Sequence, residues 1–251
     1  MGTKRFLADV TNAVEGQCVR LDAEESEHAC RVLRLRAGDA IRVFDGRGAE
    51  FEAEIVQARR DAVVCRLIRQ AAPAAETSVP VTLAFGLPKK NAMEWIAQKA
   101  VELGAARLAP FVSERTVVHP ADAGHAAQRW ARIIRDATKQ CGRARLCALS
   151  PLSTWRDIVA GAPEGACRLM CWEAAPSGAP RLAECLAQAD ARTARQGIWI
   201  AVGPEGGFAP GEIALARQSG WTACSLGPRI LRAETAVIVA MVAALHSLGD
   251  L

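Results

Sequence analysis

From residue 79 onward the chain alternates short apolar runs with longer stretches of helical period, and no other feature constrains the fold as strongly. Strands are expected at 79–85, 107–112, 168–172, 198–202 and 222–226. Helices are expected at 91–103, 126–140, 154–160, 180–189, 211–218 and 233–248. Asn91 followed by Glu94 has the spacing of a capping box. Trp130, Ile133, Ile134 and Ala137 form one helical stripe, flanked by Arg129, Arg132 and Arg135. Such alternation predicts a mostly parallel sheet covered by helices on both faces. Ligands of these sheets bind at the carboxyl ends of the strands.

The first 70 residues have a different pattern. A helix is expected over 21–35, opened by Asp22 with Glu25 three residues on. Strands follow at 40–44, 49–58 and 62–68, with turns at DGRG (45–48) and RRD (59–61). Within 49–58, Phe51, Ala53 and Ile55 share one face and Glu50, Glu52 and Glu54 the other. This meander with one helix suits a small barrel, and QAAPAAETS (70–78) has linker composition. The expected organisation is a barrel domain over 1–70, a linker over 71–78 and an α/β domain over 79–251, consistent with 251 residues.

Charge and cysteine usage exclude several classes. The formal charge is +4, and residues 1–70 hold 12 basic and 12 acidic side chains, so the excess lies beyond them. Much of it falls in 129–145, where Arg129, Arg132, Arg135, Lys139, Arg143 and Arg145 face one acid, Asp136. Nine dispersed cysteines without a CxxC pair suggest reduced thiols in a cytoplasmic protein. His28, His119, His125 and His246 are too scattered for a metal site, so none is expected. His28 is expected to cap or pack within the first helix. Residues 1–10 carry Lys4, Arg5 and Asp9, unlike a secretory signal. The most apolar stretch, 236–245, is too short for a membrane span.

Two loops at expected strand ends carry the chemistry. The first is GPEGGF, from Gly203 through Pro204, Glu205, Gly206 and Gly207 to Phe208. The second is LGPRILRAETA, from Leu226 to Ala236. Trp172 and Glu173 follow a third strand. Glycines allow close approach of backbone to a ligand, although a tight βα connection alone would also use them. Neither GxGxxG nor GxxxxGK[ST] occurs, and Glu205 would repel a phosphate, so a cationic ligand fits better.

Taken together these segments resemble the SPOUT class of S-adenosylmethionine-dependent RNA methyltransferases. Within it they resemble the ribosomal small-subunit methyltransferase E family, which methylates N3 of a uridine in 16S rRNA. KRFLAD (4–9), HACRVLRLRAGD (28–39), GLPKKNAMEWIAQKAVELGA (86–105), SERTVV (113–118) and DATKQCGR (136–143) carry the likeness, with the two loops the most specific part. The resemblance implies a PUA-like or OB-like β-barrel followed by an α/β domain with a trefoil knot, and a homodimer. Periodicity alone points to an ordinary doubly wound sheet, since knots are almost absent from proteins.

The resemblance also implies a cofactor pocket of Trp172, Glu173, Val202, Gly203, Pro204, Glu205, Gly206, Gly207, Leu226, Gly227, Ile230, Leu231 and Thr235. Backbone groups of Gly203, Leu226 and Leu231 would bind adenine and ribose. Arg232 is a candidate to stabilise oxyanion charge and Glu234 a candidate base, or alternatively a carboxylate answering the helix dipole. Arg143 would reach the target base or its phosphate, or be a solvated helix-end cation. RNA contacts are expected from Arg5, Arg31, Arg34, Lys89, Lys90, Arg129, Arg132, Arg135 and Lys139. The chain departs from the family in lacking a proline after QCGR and in the size of Trp172. The competing classes are a non-catalytic RNA-binding or ribosome-assembly protein, which needs no methyl donor, and a dehydrogenase, which would take NAD.

Overall fold

The computed structural model describes residues 3–72, 76–89, 92–117, 120–176, 178–188 and 196–251, with the backbone alone for 120–126. It separates into two units, Met1–Glu76 with Thr138–Leu146, and Thr77–Ala137 with Cys147–Leu251. The sequence partition places residues 138–146 with the second unit, whereas their contacts group them with the first.

The first unit is built on a five-stranded sheet. Its strands are β1 (Arg5–Leu7), β2 (Cys18–Arg20), β3 (Ala40–Phe44), β4 (Glu50–Arg59) and β5 (Ala62–Gln70), in the order β1-β3-β4-β5-β2. β3, β4 and β5 form the expected antiparallel meander, while β1 runs parallel to β3. Asp45 shapes the β3–β4 turn, its Oδ1 accepting from the Arg47 and Ala49 amides at 2.7 and 3.1 Å. Phe51, Ala53 and Ile55 point into a core with Phe6, Val19, Leu21, Ile41, Val43 and Leu67. Asp22 caps helix α1 (Ala23–Glu27) by accepting from the Glu25 amide at 2.7 Å. The helix expected to continue to residue 35 instead changes to a π-helical segment at His28–Val32, and His28 packs edge-on to Phe6.

Glu50, on the carboxylate-bearing face of β4, is buried. Its side chain is only 3% exposed and pairs with Arg5, Nε to Oε1 at 2.9 Å and Nη2 to Oε2 at 3.0 Å. The remaining Arg5 donors reach the carbonyls of Thr138, Lys139 and Arg143, and the guanidinium lies 4.7 Å from the Phe44 ring centre. One buried cation thus ties three separate pieces of the unit together. Two further pairs repeat the pattern: Lys139 with Glu25 at 2.8 Å and Arg143 with Glu76 at 2.8 Å.

The second unit carries a seven-stranded parallel sheet. Its strands are β6 (Val81–Gly86), β7 (Arg107–Val112), β8 (Ala148–Leu149), β9 (Ser153–Thr154), β10 (Cys167–Cys171), β11 (Ile198–Val202) and β12 (Thr222–Cys224). The order is β12-β10-β11-β6-β7-β8, with β9 also paired to β7. The helices are α2 (Ala92–Glu102), α3 (Pro120–Cys141, whose residues 138–141 group with the first unit), α4 (Trp155–Gly161), α5 (Leu182–Ala187), α6 (Pro210–Gln218) and α7 (Ala233–Leu248). Asn91 of the expected capping box lies outside the described residues. The strand β6 is buried along its whole length, as a central parallel strand requires. Phe111, Trp155, Phe208 and Trp221 form an aromatic cluster on one side of the sheet.

Candidate active site

The site is set by strand register. Cys171 of β10 lies opposite Val202 of β11, and Val202 opposite Phe85 of β6. Cys171 is also level with Cys224 of β12. Four parallel strands therefore release their chains at one level. Glu173, the GPEGGF loop and the loop after β12 emerge there as neighbouring walls.

GPEGGF is anchored at both ends and in the middle. Phe208, 2% exposed, packs between Phe111 and Trp155, with ring centres 6.1 and 4.8 Å away. The Gly207 amide donates to the Pro204 carbonyl at 2.9 Å, closing a turn in which Gly207 has φ +69°. Glu205 Oε1 accepts from the Lys89 amide at 3.1 Å, and Arg115 Nη1 donates to the Gly206 carbonyl at 3.3 Å. A Cβ on Gly86 would run into Pro204, so that glycine lets β6 and the loop approach closely. Downstream, Glu212 accepts from the Ala209 and Glu114 amides at 2.9 and 3.0 Å, fixing the start of α6.

The second loop turns at Gly227, φ +123°, where the Ser225 hydroxyl accepts from the Gly227 amide at 3.1 Å. The chain then rises through Pro228 to Leu231 and enters α7, with Arg232 at the N-cap position.

Between these walls lies a cavity of about 310 Å³. Trp172, Glu173, Val202, Gly203, Pro204 and Glu205 line it, together with Leu226, Gly227, Ile230, Leu231 and Arg232. Of the expected cofactor set, Gly206, Gly207 and Thr235 do not line it, and neither does the candidate base Glu234. Gly206 and Gly207 act on the loop's shape instead. Thr235 and Glu234 lie in the first turn of α7, and the Glu234 carboxylate has no hydrogen-bond or ion-pair partner among the described residues. Arg229, inside the expected 226–231 loop, lines the cavity, and Cys171, Ser225, Ala233 and Ala236 join it beyond the expected set. The two alanines, three apart at the start of α7, make part of its lining with side chains that bear no chemical signal. Ile230 exposes 85% of its surface, so most of its side chain faces solvent rather than the cavity.

Two carboxylates, Glu173 and Glu205, stand among largely apolar walls, which suits a cationic ligand with an apolar body. Arg217 sits 5.7 Å over the Trp172 ring, holding that large side chain in place. The thiols beneath are inert by environment. A hydrogen bond with Cys171 and burial push Cys224 far up, and burial pushes Cys185 up to about 11.

The expected RNA-contacting cations are distributed differently from the sequence reading. Arg5 and Lys139 are consumed in the pairs of the first unit, and Arg143 is buried there against Glu76, so none of the three presents a solvated guanidinium or ammonium. Sequence shows their charge but not their burial. Arg31 is exposed and pairs with Glu27 at 2.9 Å. Arg34 is exposed with φ +56°. In the second unit Arg129 meets Glu94 at 2.8 Å, Arg132 lies 4.0 Å from Asp136, and Arg135 is half-buried. The Lys89 side chain is exposed, and Lys90 lies outside the described residues. Among the described residues no cluster of His, Cys, Asp and Glu is arranged to hold a metal, and no helix is long and apolar enough to cross a membrane.

Comparison with known proteins agrees with this architecture. The family model of an RNA methyltransferase domain matches residues 75–245, and that of an RNA methyltransferase PUA domain matches 21–68. The fold and its site therefore fall in the class of RNA methyltransferases with a PUA domain. The ribosomal RNA small subunit methyltransferase E of Synechocystis sp. is 34% identical over 224 residues, 89% of this chain and 71% of that protein. That of Bacillus subtilis is 30% identical over 243 residues, 95% of this chain and 94% of its own. The crystal structure of a ribosomal RNA small subunit methyltransferase E from Neisseria gonorrhoeae, bound to S-adenosyl methionine, superposes with a TM-score of 0.84 at 29% identity and covers 98% of both chains. The chain belongs to the ribosomal RNA small subunit methyltransferase E family.

Proposed function

We propose that this protein transfers the methyl group of S-adenosylmethionine to N3 of a uridine in 16S rRNA of the small ribosomal subunit. The observation that carries the reading is the convergence of GPEGGF, LGPRIL and Trp172-Glu173 on one cavity at the carboxyl ends of parallel strands. The lining of the cavity suits the chemistry of the cofactor. Glu173 and Glu205 complement a sulfonium and an ammonium group, while Val202, Leu226 and Leu231 offer apolar surface to adenine. Backbone groups of Gly203, Leu226 and Leu231 are the ones we assign to adenine and ribose.

When bound, S-adenosylmethionine supplies a methyl group on a sulfonium whose departure as a neutral thioether needs no acid. The work left to the chain is alignment and deprotonation. Anchored loops hold the reactants at fixed separation, which removes much of the entropic part of the barrier. Uridine N3 carries a proton that must leave before N3 can attack. Glu234, without a partner at the helix start, is the carboxylate we assign to that proton. Arg232, exposed and on the cavity lining, is the cation we assign to balance charge developing on O2 and O4. The same reading includes the trefoil knot formed by these loops, a homodimer, a cytoplasmic location and a division into PUA-like domain, linker and methyltransferase domain near residues 70 and 79.

The test is to incubate the protein with methyl-labelled S-adenosylmethionine and small subunits lacking the modification. Label in 16S rRNA is expected. Cofactor binding without label in RNA would contradict the substrate assignment, and absence of both would contradict the enzymatic one.

A further inference from the structure

Among the described residues Ile230 is the most exposed large apolar side chain, and it stands on the lining of the cavity. A single exposed isoleucine is ordinary on a protein surface. The setting of this one is not. Arg229 precedes it and Arg232 follows two residues later, both exposed, both on the cavity lining, and neither guanidinium with a hydrogen-bond or ion-pair partner among the described residues. No carboxylate occurs between residues 222 and 233. The tip is held out by structure rather than left loose. Gly227 turns the chain under the Ser225 hydroxyl, Pro228 has its own φ locked by its ring and restricts Gly227 before it, and buried Ala233 fixes the far end at α7.

An apolar side chain between two unpaired guanidinium groups is the composition of a wedge for stacked nucleic acid. The apolar group enters between bases, and the cations hold the phosphates on either side. A uridine within folded rRNA presents N3 only after leaving its stack and its pairing. We propose that Ile230 is the wedge that takes the place of the displaced target uridine, and that Arg229 holds the phosphate beside it. This rests on the RNA methyltransferase reading above. A second copy of the chain is a poorer occupant for this lip. A two-fold contact centred there would set two unpaired arginines against the same two arginines.

The experiment uses the full-length protein, small subunits lacking the modification, and a 16S rRNA fragment with 2-aminopurine next to the target uridine. Fluorescence of the 2-aminopurine should rise with the wild type and stay low with Ile230→Ala. On small subunits Ile230→Ala should lose about tenfold or more in kcat, with cofactor affinity unchanged, and Ile230→Leu should restore most of both signals. Arg229→Ala should raise KM and lower the salt slope of RNA binding by about one. Three results would overturn the proposal while leaving the methyltransferase reading intact: Ile230→Ala unstacking and methylating like the wild type, losing cofactor affinity, or lowering the sedimentation mass. A wild type that labels no RNA would overturn the methyltransferase reading, and this proposal with it.

Discussion

The Glu173 carboxylate lies directly against the α-carbon of Gly207, so that a Cβ on Gly207 would collide with Glu173 Oε1. Gly207 also has φ +69°, a conformation that costs an L-residue roughly 1–2 kcal/mol. Both constraints converge on one glycine of GPEGGF that does not line the cavity, and they tie the loop's backbone to the side chain of the neighbouring wall. Gly207→Ala is therefore expected to displace Glu173 and weaken S-adenosylmethionine binding by about tenfold or more. Gly211, where a Cβ meets nothing within 4 Å, provides the control, and Gly211→Ala should leave affinity unchanged. Calorimetric titration of both variants decides the matter, and equal affinities would refute the coupling.

Glu234 is tested by charge removal at constant shape. Glu234→Gln should bind cofactor normally and lose at least about a hundredfold in turnover, the usual range for a general base. Turnover should recover partly as pH rises and free uridine loses its own proton. If the variant instead loses thermal stability and keeps its turnover, the carboxylate serves the helix dipole.

The Arg5–Glu50 pair should behave as a buried ion pair. Arg5→Met leaves Glu50 charged and enclosed, and should cost about 3–5 kcal/mol. Arg5→Met with Glu50→Met should recover most of that loss. Urea unfolding of the full chain, followed by a probe in the first unit, measures both. Additive losses in the double variant would show that the two residues act separately.

Glu25 supplies a pH dependence of opposite sign to that of most carboxylates. Burial raises its folded-state pKa above the ordinary 4.5, only partly offset by the hydrogen bond and charge of Lys139. Its Oε2 has no hydrogen-bond partner among the described residues. The folded state then binds the proton more tightly than the unfolded chain. Stability falls as pH rises from about 4.5 through the raised folded value, because the unfolded state releases the proton first. Thermal melts across this window should show a slope in the wild type that is reduced in Glu25→Gln. An unchanged slope would contradict the assignment.

The long buried elements were legible in the sequence. β7, β11 and α7 fall at the expected positions because a central strand or a core helix leaves an unbroken apolar signature. β1 and β2, three residues each, are too short to display alternation. The π-helical segment His28–Val32 carries no residue signal that separates it from an α-helix. At the site, GPEGGF was legible through its glycines, but the roles within it were not. Glu205 reads as a ligand carboxylate, yet one of its oxygens accepts from the Lys89 amide, a contact set by tertiary packing. Ala233 and Ala236 contribute only shape. Arg5, Lys139 and Arg143 look like RNA contacts until burial is known.

The most direct measurement is nucleoside analysis of 16S rRNA from small subunits treated with the protein and methyl-labelled S-adenosylmethionine. The account predicts label in 3-methyluridine at a single position. Label in a different nucleoside, or none despite cofactor binding to the wild type, would contradict it.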